Sequence, residues 1–165
     1  MPAANGWPWN MPSSLLSDNV NDERLRLIAS SYQRWTSKAL LREQPSTADA
    51  LHRMLWDAPF AIVAHGTEPD PIFFYGNRYA LECFGMSFEE FTRLPSRLSA
   101  EPLAQQAREK LLQRVAQQGF VEGYSGMRIA SDGTRFSIAD CTVWNLFDQS
   151  GTYHGQAAAF IKRDN

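Results

Sequence analysis

The clearest indication of the fold comes from three long β-prone stretches near the end of the chain. They span residues 120–130, 134–147 and 152–162, and the pairs Asp132-Gly133 and Ser150-Gly151 separate them. Asp-Gly and Ser-Gly pairs between such stretches are typical of tight hairpin turns. The three stretches are therefore predicted to form three antiparallel strands in a meander.

Two shorter strands and a helical segment precede this meander. The predicted elements are strands at 60–63 and 71–75, helical turns at 78–84 and 87–93, and a helix at 102–118. The long helix has Pro102 in its first turn and Gly119 as its C-terminal stop. Its apolar stripe is predicted to consist of Leu103, Ala107, Leu111 and Val115.

This order of elements predicts an α+β fold built on one five-stranded antiparallel sheet. The two early strands and the meander can share that sheet, and the helical insert then covers one face and leaves a pocket beneath it. Two strands, a helical insert and three further strands are the element order of a PAS domain. The fold is therefore predicted to be PAS-like over residues 58–165.

Residues 1–20 are predicted to form a flexible tail. They combine three prolines with several Ser and Asn residues around Trp7 and Trp9, a composition that rarely forms regular structure by itself. The two tryptophans are expected to dock on the folded domain or on a partner, because exposed indole rings are unfavourable in water.

Two helices are predicted over residues 21–57. In the first, over 21–41, apolar residues recur at alternating steps of three and four, as on one face of a helix. The second is predicted to begin with Ser46 or Thr47 as its N-cap and to end before Pro59. The apolar face of the first helix could pack on its own sheet or join two copies of the chain in a homodimer. The residues of that face are Leu25, Ile28, Tyr32, Trp35 and Ala39.

The composition fits one folded domain without a strong field of either sign. Apolar residues make up 44% of the 165 residues, and the formal net charge is −2. This balance argues against nucleic acid or an acidic membrane surface as a partner. The sequence has no run of eighteen apolar residues and no signal peptide, so a soluble, cytoplasmic protein is expected. Cys83 and Cys141 do not make a disulfide framework.

Several segments of the sequence resemble those of one known family. They lie before and at the end of the second strand, before the long helix, and along the last three strands. The segments are His65-Gly66-Thr67-Glu68-Pro69-Asp70-Pro71-Ile72-Phe73, Tyr75-Gly76-Asn77, Leu94-Pro95-Ser96-Arg97-Leu98-Ser99-Ala100-Glu101-Pro102, Tyr124-Ser125-Gly126-Met127-Arg128-Ile129, Val143-Trp144-Asn145-Leu146 and Gly155-Gln156-Ala157-Ala158. They closely resemble the MEKHLA domain, and the resemblance extends over about residues 22–162.

The resemblance to the MEKHLA domain implies a PAS-like fold with a sensory or regulatory role. Members of that family occur as single-domain bacterial and algal proteins, and the domain also forms the C-terminus of plant homeodomain–leucine-zipper regulators. We therefore expect a stand-alone module of the bacterial type that binds a small ligand or a partner without catalysis. A small enzyme with an acid/base site and a protein–protein interaction module are the alternatives.

The loop 65–70 brings one imidazole and two carboxylates close together in sequence. His65, Glu68 and Asp70 could form an acid/base site with His65 as the base, or could bind a metal ion. The same side chains could instead cap backbone groups in a rigid turn, or lie at the mouth of a PAS pocket. The turn is the favoured interpretation, and no metal site is predicted.

Two arginines are further candidates for the pocket. Arg97 could clamp a carboxylate or a phosphate, or it could form an ion pair with Glu101 or Glu68. Arg128 shares a strand face with Tyr124, and one face of that strand must meet solvent or a polar cavity. The pocket candidates near the end of the second strand are Tyr75 and Asn77.

The predicted strand 134–147 carries two polar residues among large apolar ones. Burying Asp140 without a partner would be costly. It is therefore expected to pair with a neighbour such as Tyr124 or Arg128, or to point into a cavity that holds a ligand or water. Asp140, Thr142 and Trp144 are counted among the pocket candidates. Strict alternation places Phe136, Ile138, Asp140, Thr142, Trp144 and Leu146 on one face.

The identity of a cofactor stays open, but two common PAS cofactors are not expected. Flavin photoreceptors of the light-oxygen-voltage class carry Asn-Cys-Arg-Phe before the long helix, whereas this chain has Pro95-Ser96-Arg97-Leu98 and no thiol there. The predicted helix 102–118 has no His to serve as a haem ligand. The sequence also lacks a Ser-His-Asp elbow, a P-loop and a dinucleotide-binding glycine motif.

Overall fold

The computed structural model describes residues 11–12 and 19–163, without the side chains of 19–22 and 102–104. Trp7 and Trp9 of the predicted tail lie outside the described residues. The helices are α1 (Asn19–Thr36), α2 (Ala48–Trp56), α3 (Arg78–Phe84), α4 (Phe88–Phe91) and α5 (Pro102–Gln118), with a 3-10 turn at Ser96–Ser99. The strands are β1 (Ala61–His65), β2 (Phe73–Gly76), β3 (Phe120–Ile129), β4 (Arg135–Phe147) and β5 (Tyr153–Arg163).

All five strands belong to one antiparallel sheet in the order β2-β1-β5-β4-β3. β1 pairs with β2 on one side and with β5 on the other, so the early hairpin and the C-terminal meander share the sheet. Helices α3, α4 and α5 form the insert between β2 and β3. This arrangement confirms the predicted α+β fold with a PAS-like five-stranded antiparallel sheet.

Local sequence signals explain where several elements begin and end. Thr47 caps α2, because its hydroxyl accepts a hydrogen bond from the Ala50 N–H at 3.0 Å. Gly119 ends α5 with a φ of 93°, a conformation that favours glycine. A Cβ at Gly119 would also lie 2.5 Å from the Trp35 ring, so glycine lets α1 approach the end of α5 closely.

Helix α1 packs on the face of the sheet that the insert leaves open. Leu25 and Ile28 are buried beneath it, and the Trp144 indole of β4 donates a hydrogen bond to the Ile28 carbonyl at 3.1 Å. Tyr32 meets the Trp144 ring edge-on, with ring centroids 5.0 Å apart. The apolar face of α1 therefore packs on the chain's own sheet.

The predicted extent of the first helix, to residue 41, is wrong at its C-terminal end. α1 ends at Thr36, and Ser37 has a φ of 62°. The Thr36 hydroxyl donates to the Tyr32 carbonyl at 2.8 Å and accepts from the Lys38 N–H at 3.1 Å. These side-chain bonds offer the backbone an alternative to further helix, and Ala39 is left exposed.

Trp144→Phe is expected to lower the free energy of unfolding by about 2 kcal/mol, since it removes the bond to Ile28 and leaves part of the ring's space unfilled. Urea denaturation followed by far-UV circular dichroism measures this loss. Trp56→Phe is the matched control, because Trp56 is also buried, with 3% of its surface exposed, but its indole makes no hydrogen bond within the described part of the chain. We expect it to lose only about 1 kcal/mol. Equal losses would show that the bond to α1 contributes nothing.

Among the residues that the structure describes, no helix is both long enough and apolar enough to cross a membrane.

Candidate functional site

A cavity of about 50 Å³ lies between the sheet and α5, where the sequence predicts a pocket. It has room for a few water molecules or for a compact organic group, since a cavity of about 10–15 Å³ already holds one water. The polar side chains in its wall are His65, Ser99, Arg108, Arg128 and Gln156. The larger apolar ones include Val63, Phe73, Phe84, Leu111, Ile138 and Phe160.

Four of the five polar residues in this wall are deeply buried, and Ser99 keeps only 2% of its surface exposed. His65, Arg128 and Gln156 keep 6%, 9% and 4% of their surface exposed. Buried polar groups are normally satisfied by hydrogen bonds, because leaving them without a partner costs free energy. A cavity walled by such groups is therefore suited to a polar ligand or to water.

His65 ends β1 and lies opposite Gln156 in the pairing of β1 with β5. Its Nδ1 lies 3.0 Å from the Gly66 carbonyl and donates to it, which leaves Nε2 as an acceptor in the neutral ring. Nε2 has no partner of ordinary hydrogen-bond geometry among the described residues. Burial lowers the pKa of His65; the contacts with Gly66 and Gln156 oppose this shift, and the charge of Arg108 adds to it. The imidazole is therefore neutral at pH 7.

Arg108 enters the cavity from α5, and Arg128 enters it from β3. Burial, and then the charge of Arg128, lowers the pKa of Arg108 to about 10, so the guanidinium stays protonated at neutral pH. The Arg128 Nη1 donates to the Met127 carbonyl at 2.6 Å, and its guanidinium lies 5.9 Å from the centre of the Tyr124 ring. The cavity wall therefore carries two positive charges.

A chain of hydrogen bonds leads from the cavity to both flanking helices. The Gln156 Nε2 donates to the Asn145 Oδ1 at 3.0 Å. The Asn145 Nδ2 donates to the Val115 carbonyl of α5 at 3.1 Å, and the Asn145 carbonyl accepts from the Trp35 indole of α1 at 3.0 Å. Gln156 is therefore connected through Asn145 to hydrogen bonds that hold α1 and α5 on the sheet.

The family follows from a match over nearly the whole chain. The model of the MEKHLA domain matches residues 22–164. This chain belongs to the MEKHLA domain family. The resemblance read from the sequence motifs is thereby confirmed.

Curated relatives of this MEKHLA domain include two rice proteins. Homeobox-leucine zipper protein HOX9 of Oryza sativa subsp. indica is 24% identical over 136 residues. Homeobox-leucine zipper protein HOX10 of the same subspecies is 24% identical over 137 residues. Each alignment covers 82% of this chain and 16% of the rice protein, so the chain spans about a sixth of the length of these relatives.

Solved structures similar to this MEKHLA domain include PAS and light-oxygen-voltage domains. One light-oxygen-voltage domain is 17% identical with a TM-score of 0.59, and covers 70% of this chain and 86% of its own. The PAS domain of a protein from Colwellia psychrerythraea is 18% identical with a TM-score of 0.58, and covers 68% of this chain and 92% of its own. At these identities the likeness shows the fold alone.

Of the pocket residues predicted from the sequence, the structure brings His65 and Arg128 to the cavity of this MEKHLA domain. Tyr124 lies beside Arg128 on the same strand and is half-buried. The remaining predicted residues lie elsewhere, in three groups.

The first group lies at the exposed turn after β1, which Arg97 contacts from the 3-10 turn at Ser96–Ser99. The Glu68 Oε1 accepts from the Ile72 N–H at 3.1 Å, which is the capping role that the sequence favours. The Arg97 Nε lies 3.2 Å from both Asp70 carboxylate oxygens, so Arg97 pairs with Asp70 and not with the predicted Glu101 or Glu68. No cluster of His, Cys, Asp and Glu side chains suited to a metal ion occurs among the described residues.

The second group, Tyr75 and Asn77, lies in the packed core away from the cavity wall. The Tyr75 ring meets Phe88 edge-on with centroids 6.2 Å apart, and burial raises the pKa of its hydroxyl. Asn77 bonds four backbone groups: it accepts from the Ile62 and Ala80 N–H groups, and donates to the Leu55 and Phe60 carbonyls. Its side chain is thus fully used in joining α2, β1 and α3.

The third group lies on the other face of the sheet, because the predicted alternation along β4 is wrong. Asp140 has a φ of 52°, and the pairing of β4 with β5 shifts between Ala139 and Thr142. Such a bulge exchanges the two faces of a strand. Ile138 before it and Val143 after it both line the cavity. The displaced side chains are those of Asp140, Thr142 and Trp144.

Asp140 therefore needs no buried partner. It is exposed and shares a shallow groove with Thr142 and Tyr32 on the face that α1 covers in part. The predicted pairing of Asp140 with Tyr124 or Arg128 does not occur, since the bulge turns its side chain away from the cavity.

Sequence reasoning misses Arg108 because the predicted stripe of the long helix advances in steps of four. Each such step moves about 40° around a helix of 3.6 residues per turn, so the stripe drifts off the buried face. The structure exposes Ala107, whereas Leu111 and Val115 are buried. The alternating spacing 108–111–112–115 fits the buried face and would have placed Arg108 in the pocket. The Leu103 side chain lies outside the described residues.

Proposed function

We propose that this MEKHLA domain is a sensory or regulatory module that binds a small ligand in its cavity and does not turn it over. The observation that supports this proposal is the deep burial of His65, Arg128 and Gln156 around a cavity. A domain selected only for stability would fill this space with apolar side chains, and departures from that rule are characteristic of functional sites.

The surroundings of His65 favour binding over acid/base catalysis. The carboxylates considered as its partners act elsewhere: Glu68 caps a turn, Asp70 pairs with Arg97, and Asp140 lies on the opposite face of the sheet. A catalytic His is commonly paired on its second nitrogen with a carboxylate that stabilises the imidazolium, and here that nitrogen, Nδ1, meets a backbone carbonyl, which fixes the ring but carries no charge.

The hydrogen bonds of Asn145 give the proposed sensor a physical route to its surface. A ligand that engages Gln156 competes with its bond to Asn145, and Asn145 also holds the Trp35 indole of α1. We propose that ligand binding shifts the position or order of α1, which then acts on a protein partner. A homodimer through α1 would use its exposed residues, since Leu25 and Ile28 are buried on the chain's own sheet.

A flavin is not part of this proposal, although similar solved structures include light-oxygen-voltage domains. A cavity of about 50 Å³ is far smaller than a three-ring isoalloxazine. The segment that carries the reactive thiol in that class is here exposed at Arg97, which pairs with Asp70.

Ligand binding in the cavity is tested by two measurements on the purified protein. We expect native mass spectrometry to show a small bound molecule that denaturation releases, or a panel of small metabolites to raise the melting temperature by about 2–5 °C. Ala158→Leu, which adds volume to the cavity wall, is expected to abolish either response.

Ala159→Leu is the matched control, because it adds the same volume to the same strand on the opposite face. This variant is expected to keep the response. A protein with neither a bound mass nor a thermal shift, or a response that survives Ala158→Leu, contradicts the proposal.

A further inference from the structure

We infer that the cavity is an anion site and that its ligand is a short-chain organic carboxylate. This inference rests on the proposed function, which requires only that the cavity binds a ligand. It is carried by an imbalance of charge and of hydrogen-bonding groups in the cavity wall.

The first imbalance is of charge. Arg108 and Arg128 both line the cavity, and no Asp or Glu side chain does so among the described residues. The Asp70 and Glu101 carboxylates pair with Arg97 and Arg135, and none of these four residues lines the cavity. Two guanidinium groups in one apolar cavity repel each other, and an anion between them would remove that repulsion.

The second imbalance is of donors over acceptors. Guanidinium groups donate hydrogen bonds and cannot accept them. Arg108 has no hydrogen bond to any described residue, and Arg128 uses one donor on the Met127 carbonyl. The Ser99 hydroxyl has used its proton on the Ser96 carbonyl and the neutral His65 leaves Nε2 as an acceptor, so the unused donors are those of the two guanidinium groups. Unused donors in the wall match an acceptor-only ligand, and a carboxylate binds guanidinium groups with two parallel bonds.

The rest of the wall decides between a carboxylate and a phosphate. Phe73, Phe84, Leu111 and Ile138 make much of the surface apolar. A phosphate presents oxygens in every direction, and those facing the apolar wall would lose their hydration without a new partner. A short carboxylate has one polar end and one apolar end, and a cavity of about 50 Å³ limits it to a few carbon atoms.

The test is a calorimetric titration with the sodium salts of formate, acetate, propionate and butyrate at constant ionic strength. At least one is expected to bind with a Kd between about 10 μM and 1 mM, since a ligand of this size reaches no higher affinity than its few atoms allow. Propionamide, propylamine and inorganic phosphate are expected not to bind. Propionamide and propylamine match the carboxylates in size but not in charge, whereas phosphate shares the negative charge but lacks an apolar end.

Arg108→Gln is expected to weaken the binding of the best carboxylate by tenfold or more, in line with the loss of a charge-assisted pair. The free variant is expected to melt no lower than the wild type, because the substitution removes one of two neighbouring positive charges. Arg114→Gln is the control on the same helix, since Arg114 is exposed, and it should leave affinity unchanged. Arg108→Lys is expected to keep part of the affinity.

Three results would overturn the inference: no carboxylate binds, propionamide or phosphate binds as tightly, or Arg108→Gln lowers the melting temperature and leaves affinity unchanged. A failure of the proposed function gives a different result from a failure of the inferred ligand class. If the cavity binds a neutral or cationic ligand and Ala158→Leu abolishes that binding, the function holds and the ligand class is wrong. If no ligand of any charge binds, both are wrong.

Discussion

Gly155→Ala is expected to lower the free energy of unfolding by about 4 kcal/mol or more, or to prevent folding altogether. Gly155 has a φ of 121°, and a Cβ built there would lie 2.0 Å from the His65 carbonyl oxygen and 3.2 Å from the Gly66 Cα. These are backbone atoms of the neighbouring strand. They can move away only if β1 and β5 separate where His65 faces Gln156.

Ala variants at two other glycines distinguish the free-energy cost of this clash from the cost of a positive φ. Gly123 and Gly151 have φ values of 73° and 84°, and a Cβ at either would meet nothing within 4 Å. Their replacement by Ala is expected to cost only about 1 kcal/mol each. Urea denaturation of the three variants measures the difference. If all three lose the same free energy, the close approach of β5 to His65 is not what requires glycine at residue 155.

A folded fraction of Gly155→Ala would also report on the site. His65 and Gln156 are partners in the strand pairing that the methyl group disrupts, and both line the cavity. We therefore expect weaker carboxylate binding by this variant, whereas Gly151→Ala should bind like the wild type.

The elements of the fold could be predicted because their signals are local. The meander follows from Asp-Gly and Ser-Gly turns, and in the structure the Asp132 carboxylate caps the Thr134 N–H at 2.9 Å while Asp148 binds the N–H groups of Ser150 and Thr152. Thr47 at the start of α2 and Gly119 at the end of α5 act through their own backbone neighbours. Such interactions are readable from a few adjacent residues.

The faces of β4 could not be predicted, because one residue with an unusual conformation reverses them. Asp140 is a non-glycine residue at positive φ, and it is skipped in the pairing of β4 with both β3 and β5. The alternation that holds to Ile138 is therefore inverted from Cys141 onward. This single residue moves Thr142 and Trp144 from the predicted pocket face to the face that α1 covers.

The site was partly predictable, and the parts that were missed depend on long-range pairing. His65 and Arg128 stand out as polar residues near predicted strands. Gln156 gains its position only from the register of β5 against β1, which no local pattern encodes. Arg108 could have been found from the spacing of the buried face of α5, whereas its closeness to Arg128 follows only from the packing of α5 on the sheet.

Asn77→Ala is expected to lower the free energy of unfolding by about 3–4 kcal/mol, because four backbone groups lose their partner in the core. The Asn77 side chain is fully buried, and its bonds to Ile62, Leu55, Phe60 and Ala80 are 2.9–3.1 Å long. The variant leaves two N–H groups and two carbonyls short of a partner, and three of these four bonds are fully buried. Chemical denaturation at neutral pH measures the loss.

Asn77→Asp tests the same site through its charge. The introduced carboxylate can still accept from Ile62 and Ala80, but it faces the Leu55 and Phe60 carbonyls, to which only a protonated acid can donate. Burial and these carbonyls favour the protonated acid more than the two N–H groups favour the carboxylate, so we expect its folded-state pKa to lie above the unfolded value of about 3.9. The deficit relative to wild type is therefore smallest below about pH 4, and it grows as the pH rises through the raised pKa.

The contrast between the two variants is the decisive measurement. The deficit of Asn77→Ala should stay constant between acidic and neutral pH, since it introduces no titrating group, whereas that of Asn77→Asp should shrink on acidification. Denaturation curves of wild type and both variants, collected across the same pH series, separate the two behaviours. A pH-independent deficit for Asn77→Asp would mean that the two carbonyls do not need the amide donor. Asn77 would then stabilise the junction of α2, β1 and α3 only by accepting hydrogen bonds from the two N–H groups.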